Sequence, residues 1–388
     1  MRNRIGDMVS NRAKGMPRSK IKAMSDDPLL NEVINLQAGD PDFKTPSHII
    51  EAALEAMEEN RTHYTQTAGI AQLREAISEK LKRENSVSYD PDTELITTNG
   101  GTGALALAVA SVLNEGEEIL VPDPAWPNYE PMVAAAGGIV KPYILHKDTG
   151  FLPDADEIEA LVTKRTKAII VNSPGNPTGS VFDRKLLSKL VEVAERTGIL
   201  MISDEVYENI IFDGYSHVSL ASLPGARDIT LTVNSFSKTY AMTGWRLGYA
   251  AGPSEIVGAM KNISSALSLS PSTISQYAGL AALKGPQDCV SKMREQYRVR
   301  RNLFVGTLNE MPGIWAPVPH GAFYAFADFS ESLKQNASTV LLERSRVAGV
   351  PGSAFGKSCS NYVRFSFASS EEALQEALER IKKVMDQR

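Results

Sequence analysis

The chain predicts an α/β fold: a large domain with a mostly parallel, seven-stranded-type sheet sandwiched by helices, plus a smaller α+β domain. Three observations carry this expectation. Through the middle of the 388-residue sequence, short apolar runs alternate with amphipathic stretches, the pattern of parallel strands covered on both faces. Beyond Gly285 the extended runs become fewer and the helical stretches longer, which marks a second unit. The length itself exceeds what one small core organises. The expected large domain covers residues 47–285, and residues 1–46 and 286–388 form the smaller one with an amino-terminal arm.

The elements follow in order. Thr45-Pro46 predicts a helix start, a capping hydroxyl before a proline at the first helical position. Ile49, Ile50, Ala53, Leu54 and Met57 then recur at helical spacing. A second helix runs from about Ile70 to Arg83, with Leu73, Ile77 and Leu81 on one face. Strands are expected at Glu94–Thr97, Glu118–Val121, Ile139–Ile144, Lys167–Asn172, Ile199–Ser203 and Ile229–Asn234, with Arg184–Arg196 an amphipathic helix between two of them. Next come a long helix over Gln287–Met311, an extended run at Ala322–Phe329, a helix near Thr339–Ala348 and a strand at Tyr362–Phe367. The last helix starts at Ser369, with Glu372 completing a capping box.

Composition narrows the function classes. A net charge of -5 argues against nucleic acid as a general partner. Cys289 and Cys359 are the only cysteines and have no CxxC partner, so neither a disulfide framework nor a zinc site is expected. Buried inert thiols and a reducing, cytoplasmic setting fit them. The longest apolar run, Gly103–Leu113, is too short to span a bilayer. Residues 1–22 are basic (Arg2, Arg4, Arg12, Lys14, Arg18, Lys20 and Lys22 against Asp7) without the apolar core of a secretory signal. An arm lying on a neighbouring subunit and an organellar transit peptide both match that bias.

In doubly wound sheets ligands gather at the carboxyl ends of strands. There the sequence places Asn176 after Asn172, Asp204 after Ser203 and Lys238 after Asn234. The run Ser235-Phe-Ser-Lys-Thr-Tyr-Ala-Met-Thr-Gly-Trp-Arg-Leu-Gly-Tyr249 sets Lys238 among hydroxyls, with Arg246 eight positions on. A lysine so placed suits a Schiff base to an aldehyde cofactor. Gly100-Gly101-Thr102-Gly103 follows a strand and opens a helix, which suits an anion held by backbone amides. Singly, each motif has an ordinary reading. Residues 172–179 are a turn, Asp204 a cap, Tyr207 a core aromatic, Trp126 a core or interface tryptophan, and Arg364 half of an ion pair. His320 reads as a surface residue.

Together with Gly39 in Ala-Gly-Asp-Pro-Asp-Phe, Tyr64 in His-Tyr-Thr-Gln-Thr-Ala-Gly, Trp126 in Pro-Ala-Trp-Pro-Asn-Tyr and Arg364 in Tyr-Val-Arg-Phe-Ser-Phe-Ala, these motifs are more specific. In this order the chain resembles the class I/II, fold-type-I aminotransferases that use pyridoxal 5′-phosphate, in their aspartate/aromatic branch. The resemblance runs from about residue 30 to the end. It implies transfer of an amino group from an L-amino acid to a 2-oxo acid such as 2-oxoglutarate, pyruvate or oxaloacetate, in a ping-pong reaction centred on Lys238.

The resemblance also implies roles. Lys238 holds the cofactor and moves the substrate Cα proton; Asp204 pairs with the pyridine nitrogen; Tyr207 and Asn176 bond the 3′ oxygen; Trp126 stacks on the ring. Thr102 and Gly103 amides, Ser235, Ser237 and Arg246 cradle the phosphate, and Tyr64 reaches it from the second subunit of a homodimer. Arg364 takes the substrate α-carboxylate, near the Gly39 backbone, with Asn176 and Trp126 beside it. Thr102 departs from family members that carry a lysine there and favour acidic substrates. Aromatic or small neutral donors therefore gain weight over aspartate, with the arm around Arg18–Ile21 and the Trp315–His320 region as further contributors. A C–S β-lyase, or other α-carbon chemistry such as decarboxylation or racemisation on the same scaffold, is the enzymatic alternative, and a ligand-sensing regulator the non-enzymatic one; the latter needs a DNA-binding domain for which the stretch before Gly39 is too short.

Overall fold

The computed structural model describes residues 8–16, 33–333 and 336–387; the Arg18–Ile21 stretch and most of the basic arm lie outside them. The main sheet has eight strands: β2 (Leu95–Thr98), β3 (Glu118–Asp123), β4 (Ile139–His146), β5 (Leu152–Pro153), β6 (Thr166–Asn172), β7 (Leu200–Asp204), β8 (Thr230–Ser235) and β9 (Gly248–Ala251). A short β1 (Ile34–Asn35) precedes them. Their order is β2-β9-β8-β7-β6-β3-β4-β5, parallel throughout except β9 and the two-residue edge strand β5. The expected strands are all present within a residue or two. The two additions are β5 and β9. β9 is only four residues long and lies at the end of the lysine motif, where Arg-Leu-Gly-Tyr-Ala-Ala mixes strand formers with glycine.

The central parallel strands β3, β6, β7 and β8 are buried on both faces because an apolar cluster lies on each side, whereas β4 nearer the edge is exposed on one face. Leu120, Ile169, Val171 and Met201 face one cluster; Ile119, Ala168, Ile170, Ile202 and Val233 face the other. That is the period-two alternation of a strand splitting its side chains between two helical layers.

Beyond residue 288 a 22-residue helix, Asp288–Asn309, packs with β10 (Tyr324–Asp328), β13 (Tyr362–Ser366) and the terminal helix Glu371–Asp386. β10 and the two-residue β12 (Val350–Pro351) flank β13 in an antiparallel three-stranded sheet, while β11 (Val347–Ala348) pairs with β1. Phe304, Leu308, Phe323, Phe365, Leu374 and Ile381 form its core, and Tyr207 and Ile210 from the loop after β7 are built into it. The loop after β7 is thereby packed into the same apolar cluster as β10, β13 and the two long helices.

Three local expectations are corrected. Thr45 does not cap the helix that follows it, which starts at Ser47; its hydroxyl donates to the Ala241 carbonyl (2.7 Å) and accepts from the Trp245 indole (3.1 Å). The helix near residue 339 is one α-turn, Ala337–Val340, then a π-turn, Leu341–Ser345, ended by Arg346 at φ +56°. The terminal helix is capped by Ser370, which accepts from the Ala373 amide, rather than by Ser369. Cys359 is buried, whereas Cys289 is only partly so.

Candidate active site

A cavity of about 580 Å³ opens at the carboxyl ends of β6, β7 and β8. Those strand ends contribute Asn172, Asp204 and Ser235. The turns beyond them add Asn176, Tyr207, Ser237 and Lys238. Gly39 and Asp40 from the entry loop close one side, and Tyr324 and Arg364 from β10 and β13 close another. The structure thus assembles residues more than 300 positions apart around one space.

One end is built for an anion. The helix Gly100–Val112 points its start at the cavity, and its first free amides belong to residues up to Thr102. Ser235 Oγ caps the short turn Phe236–Thr239 by accepting from the Ser237 amide (3.1 Å) and lies 2.9 Å from Ser237 Oγ. Arg246, at φ +53°, brings its guanidinium over this end while donating to the Thr243 carbonyl (3.0 Å). Glycines make the approach possible. A Cβ on Gly100 would sit 2.6 Å from Arg246 Nη2, and one on Gly248 2.6 Å from the Gly101 nitrogen. Hydroxyls, backbone amides, a helix start and a guanidinium gathered at one end make a place suited to an anion. Gly103 is not part of it. As the fourth helical residue its amide joins the helix ladder, and it lines a separate pocket with Ala106 and Leu107; Gly101 takes its place.

At the centre Asp204 is 4% exposed and accepts a 2.6 Å bond from the Tyr129 hydroxyl. Burial pushes its carboxyl up to about 6, against the pull of Tyr129. A carboxylate kept at that cost, with no cation paired to it among the described residues, is poised for a cationic ligand atom. Lys238 Nζ donates to the Gly39 carbonyl and lies 5.6 Å from the Phe323 ring centroid. Burial lowers its pKa to about 8, assisted by Arg364 and Arg246 and opposed by Asp40. A lysine that is partly neutral near pH 8 can act as nucleophile and base.

Arg364 is 2% exposed. It donates from Nη1 to Asn176 Oδ1 (3.0 Å) and from Nη2 to the Gln37 carbonyl (2.5 Å), while its Nε has no partner. Its guanidinium lies 4.3 Å from the Tyr324 ring centroid and 4.9 Å from that of Phe355. No carboxylate salt-bridges it among the described residues, so the ion-pair reading of this arginine finds no support. A buried, uncompensated fork invites a carboxylate.

Trp126 lines the cavity and packs edge-on to Tyr129, 5.4 Å between centroids. Tyr64 does not reach the cavity: it is 87% exposed, beside Ser270–Ile274. His320 stacks on Tyr215 and does not line the cavity, but it is half-buried with its Nδ1 enclosed rather than a surface residue. Sequence reasoning missed Tyr129, Tyr324, Asp40 and Thr243. Tyr129 opens the helix Tyr129–Ala135, three residues after Trp126 in the preceding loop, and its only sequence signal is that it follows the Pro-Ala-Trp-Pro-Asn run. The Tyr324 signal was period two: Tyr324 and Phe326 share a strand face, and only the register to β13 reveals that Arg364 shares it too.

The family model for aminotransferases of class I and II matches residues 31–381. The chain belongs to the class I/II aminotransferases. It is 43% identical over 360 residues to an aspartate aminotransferase of Pyrococcus abyssi, with 92% of each chain covered. It is 40% identical over 360 residues to an aromatic-amino-acid aminotransferase of Thermococcus litoralis, again over 92% of each. The solved aspartate aminotransferase of Thermus thermophilus with maleate superposes at a TM-score of 0.92 (40% identity, 97% of this chain and 99% of that one). As a class I/II aminotransferase the protein depends on pyridoxal 5′-phosphate. The residues present fit that group: an anion cradle at one end, a buried acid at the centre, and an orphaned guanidinium nitrogen opposite. No helix among the described residues is long and apolar enough to cross a membrane.

Proposed function

We propose that this aminotransferase performs its transfer with Lys238, Asp204 and Tyr207 as catalytic residues and Arg364 as the carboxylate clamp. The observation that carries this is Arg364, a buried guanidinium without an acid partner, facing the cavity that holds a lysine of lowered pKa. When bound, pyridoxal phosphate supplies the aldehyde that captures the amino group and the ring that takes up the electrons of the broken Cα–H bond.

The chain's own residues do the rest. Gly101 and Thr102 amides, Ser235, Ser237 and Arg246 hold the phosphate. Asp204 keeps a proton on the pyridine nitrogen, with Tyr129 fixing its second oxygen. Tyr207 and Asn176 donate to the 3′ oxygen, and Trp126 covers the ring. Arg364, oriented by Asn176 and the Gln37 carbonyl, binds the α-carboxylate beside the Gly39 backbone. Lys238 Nζ then carries the proton from Cα. Its lowered pKa leaves a useful neutral fraction at neutral to mildly alkaline pH.

The donor is an aromatic or small neutral L-amino acid in preference to aspartate. Thr102, Leu105 and Trp126 give the cavity a neutral wall, and relatives carry both aspartate and aromatic names. The exposed Tyr64 points to a homodimer in which it completes the partner's phosphate site. Residues 47–285 act as the cofactor-holding domain, with 1–46 and 286–388 as the smaller one. Two free cysteines suit the cytoplasm.

The test is a half-reaction. An L-amino acid alone should bleach the cofactor's visible band in wild type, and 2-oxoglutarate, pyruvate or oxaloacetate should restore it. Lys238→Ala should lose the covalent band. Release of ammonia without a 2-oxo acid would replace transfer by β-elimination.

A further inference from the structure

Tyr324 begins β10, and the register places it opposite Ser366, two residues from Arg364 on the same face of β13. A strand neighbour at that diagonal is within reach of long side chains. Both contacts are made. The Arg364 guanidinium sits 4.3 Å from the Tyr324 ring centroid, and the Tyr324 hydroxyl lies 2.8 Å from that of Tyr207. Tyr324 is 2% exposed, so neither contact is shared with bulk water. The hydroxyl also fixes the entry loop: a Cβ on Gly39 would lie 2.0 Å from it.

The direction of the hydroxyl pair follows from the proposed function, on which this inference rests. If Tyr207 donates to the cofactor's 3′ oxygen, its oxygen is left to accept, and Tyr324 is its donor. A donor that itself receives a hydrogen bond is polarised and donates more strongly. The ring meanwhile offers the Arg364 cation a π face in a desolvated site. We propose that Tyr324 is a positioning residue for both ends of the reaction, its hydroxyl strengthening Tyr207 toward the 3′ oxygen and its ring holding Arg364 for the substrate carboxylate. The charged groups around the pair are Arg364 on β13, Lys238 and Asp204 from the large sheet, and Asp40 from the entry loop.

The two functions separate by substitution in the cofactor-loaded protein. Tyr324→Phe removes the hydroxyl and keeps the ring. A weaker bond to the 3′ oxygen stabilises its anionic form less, so the pH midpoint of the cofactor's visible band should rise by ~0.3–1 unit. In a Tyr207→Phe background the same substitution should add no further shift. Binding of carboxylate probes, maleate and 3-phenylpropanoate, should stay within about twofold for Tyr324→Phe. Tyr324→Leu should keep the raised midpoint and weaken those probes by ~10-fold or more. An unmoved midpoint in Tyr324→Phe, or an equal shift with and without Tyr207, overturns the relay. Unweakened probes in a folded Tyr324→Leu overturn the ring's role. If Tyr324→Leu does not fold, Tyr324→Phe alone still decides the relay. Failure of the wild-type protein to take up the cofactor would instead overturn the proposed function, which separates the two outcomes.

Discussion

Two groups of buried charge stand back to back at the end of β7, and they are handled in opposite ways. Asp204 faces the cavity and receives the Tyr129 hydroxyl; across the cavity Arg364 has no acid partner among the described residues. Glu205, one residue on and pointing the other way, accepts from Ser203 Oγ (2.8 Å), Ser219 Oγ (3.1 Å), the Leu220 amide (3.1 Å) and lies 2.9 Å from His217 Nε2. Glu208 pairs with Lys80 and accepts from the Asn85 and Asn234 amides, both at 2.7 Å. Burial alone would raise its pKa, yet Lys80 and His217 hold it below the usual range. One cluster pairs both of its carboxylates, and the other leaves its charges short of partners. Compensated charge fastens the loops to the fold; uncompensated charge waits for a ligand.

The contrast predicts opposite signs. Glu208→Gln leaves the buried Lys80 ammonium only the more distant, part-exposed Glu84 carboxylate (3.8 Å) and should cost ~2–4 kcal/mol of stability by denaturant titration. The double change Lys80→Met, Glu208→Leu should recover most of it; no recovery would show that the cluster does more than balance charge. Asp204→Asn should lower kcat by ~10²–10³-fold, the scale for losing one preorganised electrostatic contact. In the cofactor-free protein it should stabilise at pH 8, because it removes a buried charge. A loss of stability there would place Asp204 with the paired cluster.

The large sheet is legible because its parallel strands are largely continuous apolar runs; Lys238 and Asp204 are legible as polar residues where such runs stop, and Arg364 as a cation set among apolar strand residues. What escaped notice was set by three-dimensional neighbours. Gly103 was read as an anion donor because the glycine run does not say where the helix ladder begins. Thr45 looked like a cap, but Ala241 and Trp245, nearly 200 positions away, claim its hydroxyl. Tyr129 and Tyr324 look like core aromatics in sequence, and only their partners, Asp204 and Tyr207, show otherwise. Position on a strand is local information; partnership is not.

The clamp can be tested without touching the charge balance. Arg364→Lys keeps the cation and loses the planar fork, so binding of the α-carboxylate should suffer while the fold does not. We expect the donor KM to rise by ~10–100-fold, with a smaller change in kcat and an unchanged unfolding midpoint. An unaltered KM for both L-phenylalanine and L-aspartate would remove Arg364 from the substrate site.

The smallest expected effect is the pH dependence of the cofactor-free protein, and its sign is fixed by the same two groups. Asp204 rises from 3.8 unfolded to about 6 folded, so the folded state holds the extra proton between those values. Its contribution is favourable below about pH 4 and is lost as pH climbs to 6. Lys238 falls from 10.5 to about 8, so stability returns as pH rises from 8 towards 10.5. Between about 6 and 8 the empty site carries both charges at full desolvation cost. Wild type should therefore be least stable there relative to the double variant Asp204→Asn, Lys238→Met, by ~1–3 kcal/mol in urea titrations. Added pyridoxal phosphate should erase the dip, since each charge then gains a partner. The Lys80–Glu208 cluster, already paired, should give no such dip when the same comparison is made with Lys80→Met, Glu208→Leu.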